Sequence, residues 1–243
     1  MNAGLPILIT LTLICLALLY LRGWYRLRRS LPDLLSVWRL AAFMGGVFLL
    51  WAAAGSPLAM LDHEFLTAHM VQHLLIMTVA APLILVGEPV TVLVQQQAIL
   101  RVPAPHPAFC WLASTVTVIG WHVPALLELG LQSEGWHTAE HACFFVAGLL
   151  FWWPVIQPWP SPASRHQWSV PLYLFLATLP CDALSAFLTF CNRVVYPHYL
   201  LVDQEWAGAL MWVWVTFAYL APAIVVTFQM LSPRRLTSRA EVV

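Results

Sequence analysis

The chain contains no lysine, and arginine supplies all 11 of its basic side chains apart from histidine. Charged residues make up only 9% of the sequence, against roughly 25% in soluble domains. Basic and acidic groups balance to a formal net charge of zero. That leaves no basic surface of the kind that holds nucleic acid. The five cysteines, Cys15, Cys110, Cys143, Cys181 and Cys191, form neither a CxC nor a CxxC pair. Most sit inside apolar runs, where cysteine behaves as a small core hydrophobe. Repeats and low-complexity tracts are absent, so the sequence reads as a single membrane domain over 1–243. The first 20 residues lack the basic start and small-residue cleavage site of a signal peptide, and read as a retained span.

What the chain has instead is apolar length. Hydrophobic residues make up 61% of it, in seven runs near 4–22, 36–55, 67–87, 107–127, 137–157, 169–190 and 205–231. Each approaches the roughly 20 helical residues that cross a bilayer. The fold class expected is therefore all-α: a polytopic integral membrane protein, a seven-transmembrane-helix bundle. Pro82, Pro124, Pro154, Pro180 and Pro222 fall in or near the spans, where neighbouring helices can satisfy the freed carbonyls.

The arginines give an orientation. Arg22, Arg26, Arg28, Arg29 and Arg39 flank the first loop, Arg101 lies in the third and Arg165 in the fifth. Arg234, Arg235 and Arg239 form the tail, and only Arg193 falls on the other side. The arginine-rich side is cytoplasmic, which puts the N-terminus outside and the C-terminus inside. Trp24, Trp38, Trp153 and Trp159 then fit the inner interface, and Trp121, Trp136, Tyr196 and Trp206 the outer one. The third loop, 88–106, includes VTVLVQQQAIL and suits an amphipathic segment on the inner surface.

This topology sorts the nine histidines. His106 and His166 are cytoplasmic, whereas His63, His69, His73, His122, His137, His141 and His198 are outside or at outer helix ends. His69 and His73 lie four apart in LDHEFLTAHMVQHLLIM, as do His137 and His141 in HTAEH, so each pair shares one helix face. With His122 they can converge at one depth, within about 10 Å of the outer boundary. Imidazole is the commonest metal-ligating side chain, and an i,i+4 pair chelates from one face. Ionisable groups inside a membrane are functional candidates.

The candidate metal ligands are thus His69, His73, His122, His137 and His141. Met77, with Met70 and Met211, adds thioether sulfur, which favours Cu(I). Asp62, Glu140, Asp182 and Asp203 are available as ligands or as acceptors that fix histidine tautomers. Asp182 is unusual in lying about 12 Å from the outer end of its span. His63 and His198 read as residues of a wet interface.

Other chemistries remain open on these residues. His137-Thr-Ala-Glu140-His141 fits H-x-x-E-H, a zinc-peptidase pattern in which Glu140 would be the general base. Ser185, one turn after Asp182, adds a further polar group. A bis-histidine haem needs ligands from two helices, because two histidines on one face cannot be trans to each other. Ion transport fits less well: LLIMTVAAPLILV and CFFVAGLLFWW offer almost no polar station across the inner half.

The segments HMVQHLLIMTVAAPLILVGEP, GWHVPALLELG, HTAEHACFFVAGLLFWWPVI and YPHYLLVDQEWAGALMW, taken in order over about 36–230, resemble the CtaG family. These are multi-span cytochrome c oxidase assembly proteins associated with caa-type oxidases. The resemblance implies a non-catalytic assembly factor in the bacterial plasma (inner) membrane. Its partners would be cytochrome c oxidase subunits and an extracytoplasmic copper donor, and its cargo copper. Zinc and haem are the alternative metals that the residues leave open. The matching motif positions are His69, His73, His122, His137, Glu140, His141, Asp182 and Asp203.

Overall fold

A computed structural model describes residues 4–29, 35–56, 61–94, 105–156 and 169–231. Every regular element among them is helical. In chain order these are α1 (Gly4–Leu27), α2 (Val37–Ala54), α3 (Leu66–Leu75), a π-helical turn (Ile76–Ala80) and α4 (Ala81–Val86). After them come α5 (Pro89–Val94), α6 (Pro107–Trp121), α7 (Pro124–Gln132), α8 (Glu134–Ile156), α9 (Ser169–Phe190) and α10 (Leu201–Leu231). Six described helices are long and apolar enough to cross a membrane, counting Leu66–Val86 as one; a bent pair makes a seventh if it counts as a single span. The chain is a multi-pass, all-helical membrane protein by this measure.

The fourth span expected over 107–127, with Pro124 in or near it, takes the form of this bent pair. Helix α6 stops at Trp121, and α7 leaves it at 72°. The cause is local. Pro124 disfavours the helical conformation at the residue before it, and Val123 is extended at φ −67°, ψ 127°. The break leaves His122 at the end of α6 and starts a short helix that covers the neighbouring site.

Span Leu66–Val86 is the centre of the bundle. Some 67% of its apolar window is buried inside the protein, against 11% for α1 and 17% for Leu201–Phe228. It packs on α2, α8 and α10, while α9 pairs with α10 and α6 with α8. Midway along it the helix widens into the π-helical turn, where the N–H of Ala81 donates to the carbonyl of Ile76, five residues back. Pro82 then interrupts the ladder. Having no N–H, it leaves the carbonyl of Met77, also five residues back, without a partner. The indole Nε1 of Trp152 on α8 donates to that carbonyl at 3.0 Å. Close approach needs Gly148, where a Cβ would stand 2.8 Å from the same oxygen.

The start of α3 is held from a distance. Its N-terminal residue Phe65 offers no side-chain cap. The Asp203 carboxylate of α10 instead accepts from the N–H groups of Leu66 and Thr67 and from the Thr67 hydroxyl. An anion there satisfies exposed donors and complements the helix dipole.

Two aromatic expectations change. Tyr196 is buried rather than set at an outer interface, and donates to the carbonyl of His122 at 2.9 Å. Trp24 is likewise buried, in a cluster with Tyr20 and Phe43. In the third loop α5 forms as a short helix, while residues 95–104, and with them QQQAIL and Arg101, lie outside the described residues. So do Trp159, Arg165, His166 and the arginines of the tail.

Candidate metal centre

Three stretches of chain converge at one end of the bundle. Residues 61–65 lead into α3, α7 lies across the top, and the first turns of α8 run alongside. The helical spacing of His69 and His73 brings their rings edge to face, with centroids 4.3 Å apart. Both are buried, and both ring nitrogens of each lack a hydrogen-bond partner.

Glu140 enters between them from α8. Its Oε1 lies 3.4 Å from His69 Nε2 and 3.4 Å from His73 Nε2. Neither contact is a good hydrogen bond, which would need about 2.7–3.2 Å. The spacing has another reading. Donors bound to one ion at roughly 2.1 Å, at a tetrahedral angle, stand about 3.4 Å apart. The carboxylate is fully buried and neither oxygen makes a hydrogen bond, a costly arrangement unless a cation completes it. Gly130 on α7 makes the room: a Cβ there would sit 2.8 Å from Glu140 Oε2.

A second group of donors shares His69. Asp62, His69 and His137 each present a ligand atom within 4.8 Å of the others, as do His69, His73 and Glu140. His137 Nε2 lies 2.9 Å from Asp62 Oδ2, and the half-exposed His63 stands 3.9 Å from Oδ1. Burial pushes the Asp62 carboxyl up, but contact with His137 and the charges of His137, His63 and His69 outweigh it and leave its pKa lowered. The Tyr199 hydroxyl holds this turn by donating to the Asp62 carbonyl at 2.6 Å. The outer group is the more open of the two, since His137 is partly exposed while His69, His73 and Glu140 are buried.

The remaining candidates divide. His141 is buried beside this cluster, its ring 5.6 Å from His73, and contacts Gln72 Oε1 through Nε2 at 3.1 Å. His122 lies lower, its Nδ1 held 2.6 Å from the Val118 carbonyl. Met77 is buried at that lower level. Asp203, engaged with the start of α3, positions His69 and His73 through the helix rather than meeting them. Asp182 faces Thr178 on its own helix and joins neither donor group. His63 and His198 are exposed, and His198 Nε2 reaches the His63 carbonyl at 3.2 Å. In H-x-x-E-H, it is the glutamate that meets the histidine pair of another helix, while His137 and His141 turn to Asp62 and Gln72.

Gln72 and Tyr199 are not among the candidates the sequence offers. Gln72 lies one residue before His73 in a buried run, which is a usable signal for a polar group near the site. Tyr199 offers no such signal, because its partner is 137 residues away.

The fold and the site together define a class: a multi-pass, all-helical membrane protein with buried imidazoles and a carboxylate near one end that could hold a metal ion. The chain belongs to the cytochrome c oxidase caa3 assembly factor (Caa3_CtaG) family, whose model matches residues 18–232. It is also similar to a protein of Mycobacterium leprae (strain TN), described as uncharacterized protein ML1998, at 23% identity over 225 residues. That alignment covers 84% of this chain and 34% of the relative, so the chain spans about a third of the length of the curated relative it matches. No solved structure matches.

Proposed function

We propose that this protein is a non-catalytic assembly factor that binds copper at the His69–His73–Glu140 cluster and passes it to cytochrome c oxidase. The observation that carries the reading is one geometry. Two imidazole nitrogens, buried and without hydrogen bonds, each stand 3.4 Å from one buried carboxylate oxygen, and a ligand atom from each of the three residues lies within 4.8 Å of the others. Imidazole suits copper and zinc alike. The family supplies the reason to favour copper, as a cargo needed by the oxidase.

The arginine distribution supports an extracytoplasmic position for the cluster in the bacterial inner membrane, with the N-terminus outside and the chain as one seven-span domain. On this reading Asp62, His137 and His69 receive the ion from an extracytoplasmic donor at the more open rim. His69, common to both groups, hands it to His73 and Glu140. His141 and Gln72 hold the surrounding side chains in place.

The test joins metal analysis to a cellular readout. Purified protein should bind copper stoichiometrically, and His73→Ala should lower bound copper while the protein stays folded in the membrane. Cells carrying that variant should make oxidase that has its haem but lacks copper and activity. Full copper occupancy of the oxidase in those cells would overturn the proposal.

A further inference from the structure

Below the Glu140 cluster lies a small cavity of about 30 Å³. Its donors are the thioethers of Met70, Met77 and Met211, the thiol of Cys181 and the rings of His73 and His122. All six side chains are buried. They come from α3, the π-helical turn, the end of α6, α9 and α10. The space is enough for one or two water-sized occupants. The rest of the lining is mostly apolar, as at Phe144 and Val215; of its two hydroxyls, that of Thr78 is already engaged with the Leu74 carbonyl and the Trp214 indole, which leaves that of Tyr219.

His122 is what distinguishes this cavity from a packing gap. The Val118 carbonyl only accepts, so the Nδ1 it contacts at 2.6 Å must carry the proton. In the neutral ring Nε2 then holds its lone pair free, and it is buried with no partner. Fixing one ring nitrogen on a backbone carbonyl so that the other can ligate is the usual arrangement at metal-binding histidines. Methionines that merely fill space would close the void they line. Here three of them surround it, together with an imidazole nitrogen that has nothing to bind.

We infer that this cavity is a second metal site, selective for a soft monovalent cation of the Cu(I) or Ag(I) class, held by His122 Nε2 and by thioethers of Met77, Met211 and Met70. Thioether and thiol sulfur select such ions over hard or borderline divalent ones. A single charge also costs far less to bury than a double one, because the solvation penalty grows with the square of the charge. The described lining contains no carboxylate, in contrast to the cluster above. His73 borders both sites: its Nε2 approaches Glu140 and its ring, stacked on Phe144 at 4.0 Å, walls the cavity. The inference deepens the copper-delivery reading but is tested apart from it.

The experiment titrates the full chain in nanodiscs, without oxygen, with Ag(I) and separately with Zn(II), each against a chromophoric competitor. The double variant Met77→Leu/Met211→Leu should weaken Ag(I) binding by about tenfold or more and leave Zn(II) binding unchanged. Glu140→Gln should do the reverse. Equal Ag(I) affinity in the methionine variant and the wild type overturns the second site, whatever Zn(II) does. Should the variant fold poorly, selenomethionine-labelled wild type loaded with one equivalent of Cu(I) gives the answer without mutation. A copper neighbour in the selenium-edge absorption spectrum supports the site, and its absence overturns it. Neither result depends on whether oxidase receives copper, so loss of the delivery reading would leave this test intact.

Discussion

One helix face serves two levels of this bundle, and they are chemically opposite. At the upper level His69 and His73 meet the Glu140 carboxylate, a nitrogen and oxygen set carrying negative charge. One turn lower, Met77 meets Met211, Cys181 and His122, a mostly sulfur set with no carboxylate. The spacing along the central span is the same, four residues each time. What differs is the set of side chains met at each depth: the Glu140 carboxylate of α8 above, and His122, Cys181 and Met211 from α6, α9 and α10 below. A helix face sets the line along which ligands fall, while its neighbours decide what kind of ion each level suits.

The contrast between levels breaks most completely at Glu140. Glu140→Gln keeps the size of the side chain and removes the only carboxylate of the inner group. Groups that merely orient ligands cost roughly 10–100-fold in metal affinity when replaced. As a ligand, Glu140 should cost more than that, measured by competition titration. A loss of about 100-fold or less would demote it to an orienting role.

His69→Ala and His73→Ala should each lower affinity strongly, and the double variant little further than the worse single one, because contacting residues are not additive. Affinity should also fall as pH drops, because protons compete with the metal for the ligating imidazoles. The metal-free fold should respond elsewhere. A lowered carboxyl pKa, as at Asp62, contributes stability above the unfolded value, near pH 4, which is lost as pH falls through the lowered value. Metal release should therefore precede acid unfolding on a single descending titration. Coincident transitions would contradict this separation.

Smaller effects belong to the groups that position the helix. Asp203→Ala should cost about 0.5–2 kcal/mol, as loss of a helix cap does, read as a lower melting temperature in detergent. Asp203→Asn should cost less. Trp152→Phe removes the donor to the Met77 carbonyl and should cost about 1 kcal/mol. It should weaken Ag(I) binding slightly and Zn(II) binding not at all, since the bond lies at the lower level. An equal effect on both ions would mean the two levels move as one.

The histidine pair was legible in the sequence because i,i+4 spacing is a local property. Glu140 was legible as a candidate, but not its entry between His69 and His73, because the register between α3 and α8 is set by packing at Gly148 and by room beside Gly130. Five histidines grouped as one site from equal depth are divided by the break after Trp121, which leaves His122 at the lower level. The signal for that break, Pro124 after an extended Val123, is outweighed when apolar run length alone is counted. Asp203 reads from sequence as a ligand or as an acceptor that fixes histidine tautomers, because a carboxylate near an outer helix end suits a metal site and a helix start equally. Only the fold brings it to Leu66, 137 residues away.

Anomalous scattering at the copper edge, from crystals of protein loaded with one equivalent of Cu(II), tests the central claim most directly. The account predicts one dominant peak within bonding distance of His69 Nε2, His73 Nε2 and Glu140 Oε1. A fully loaded protein with its copper peak away from all three would contradict it.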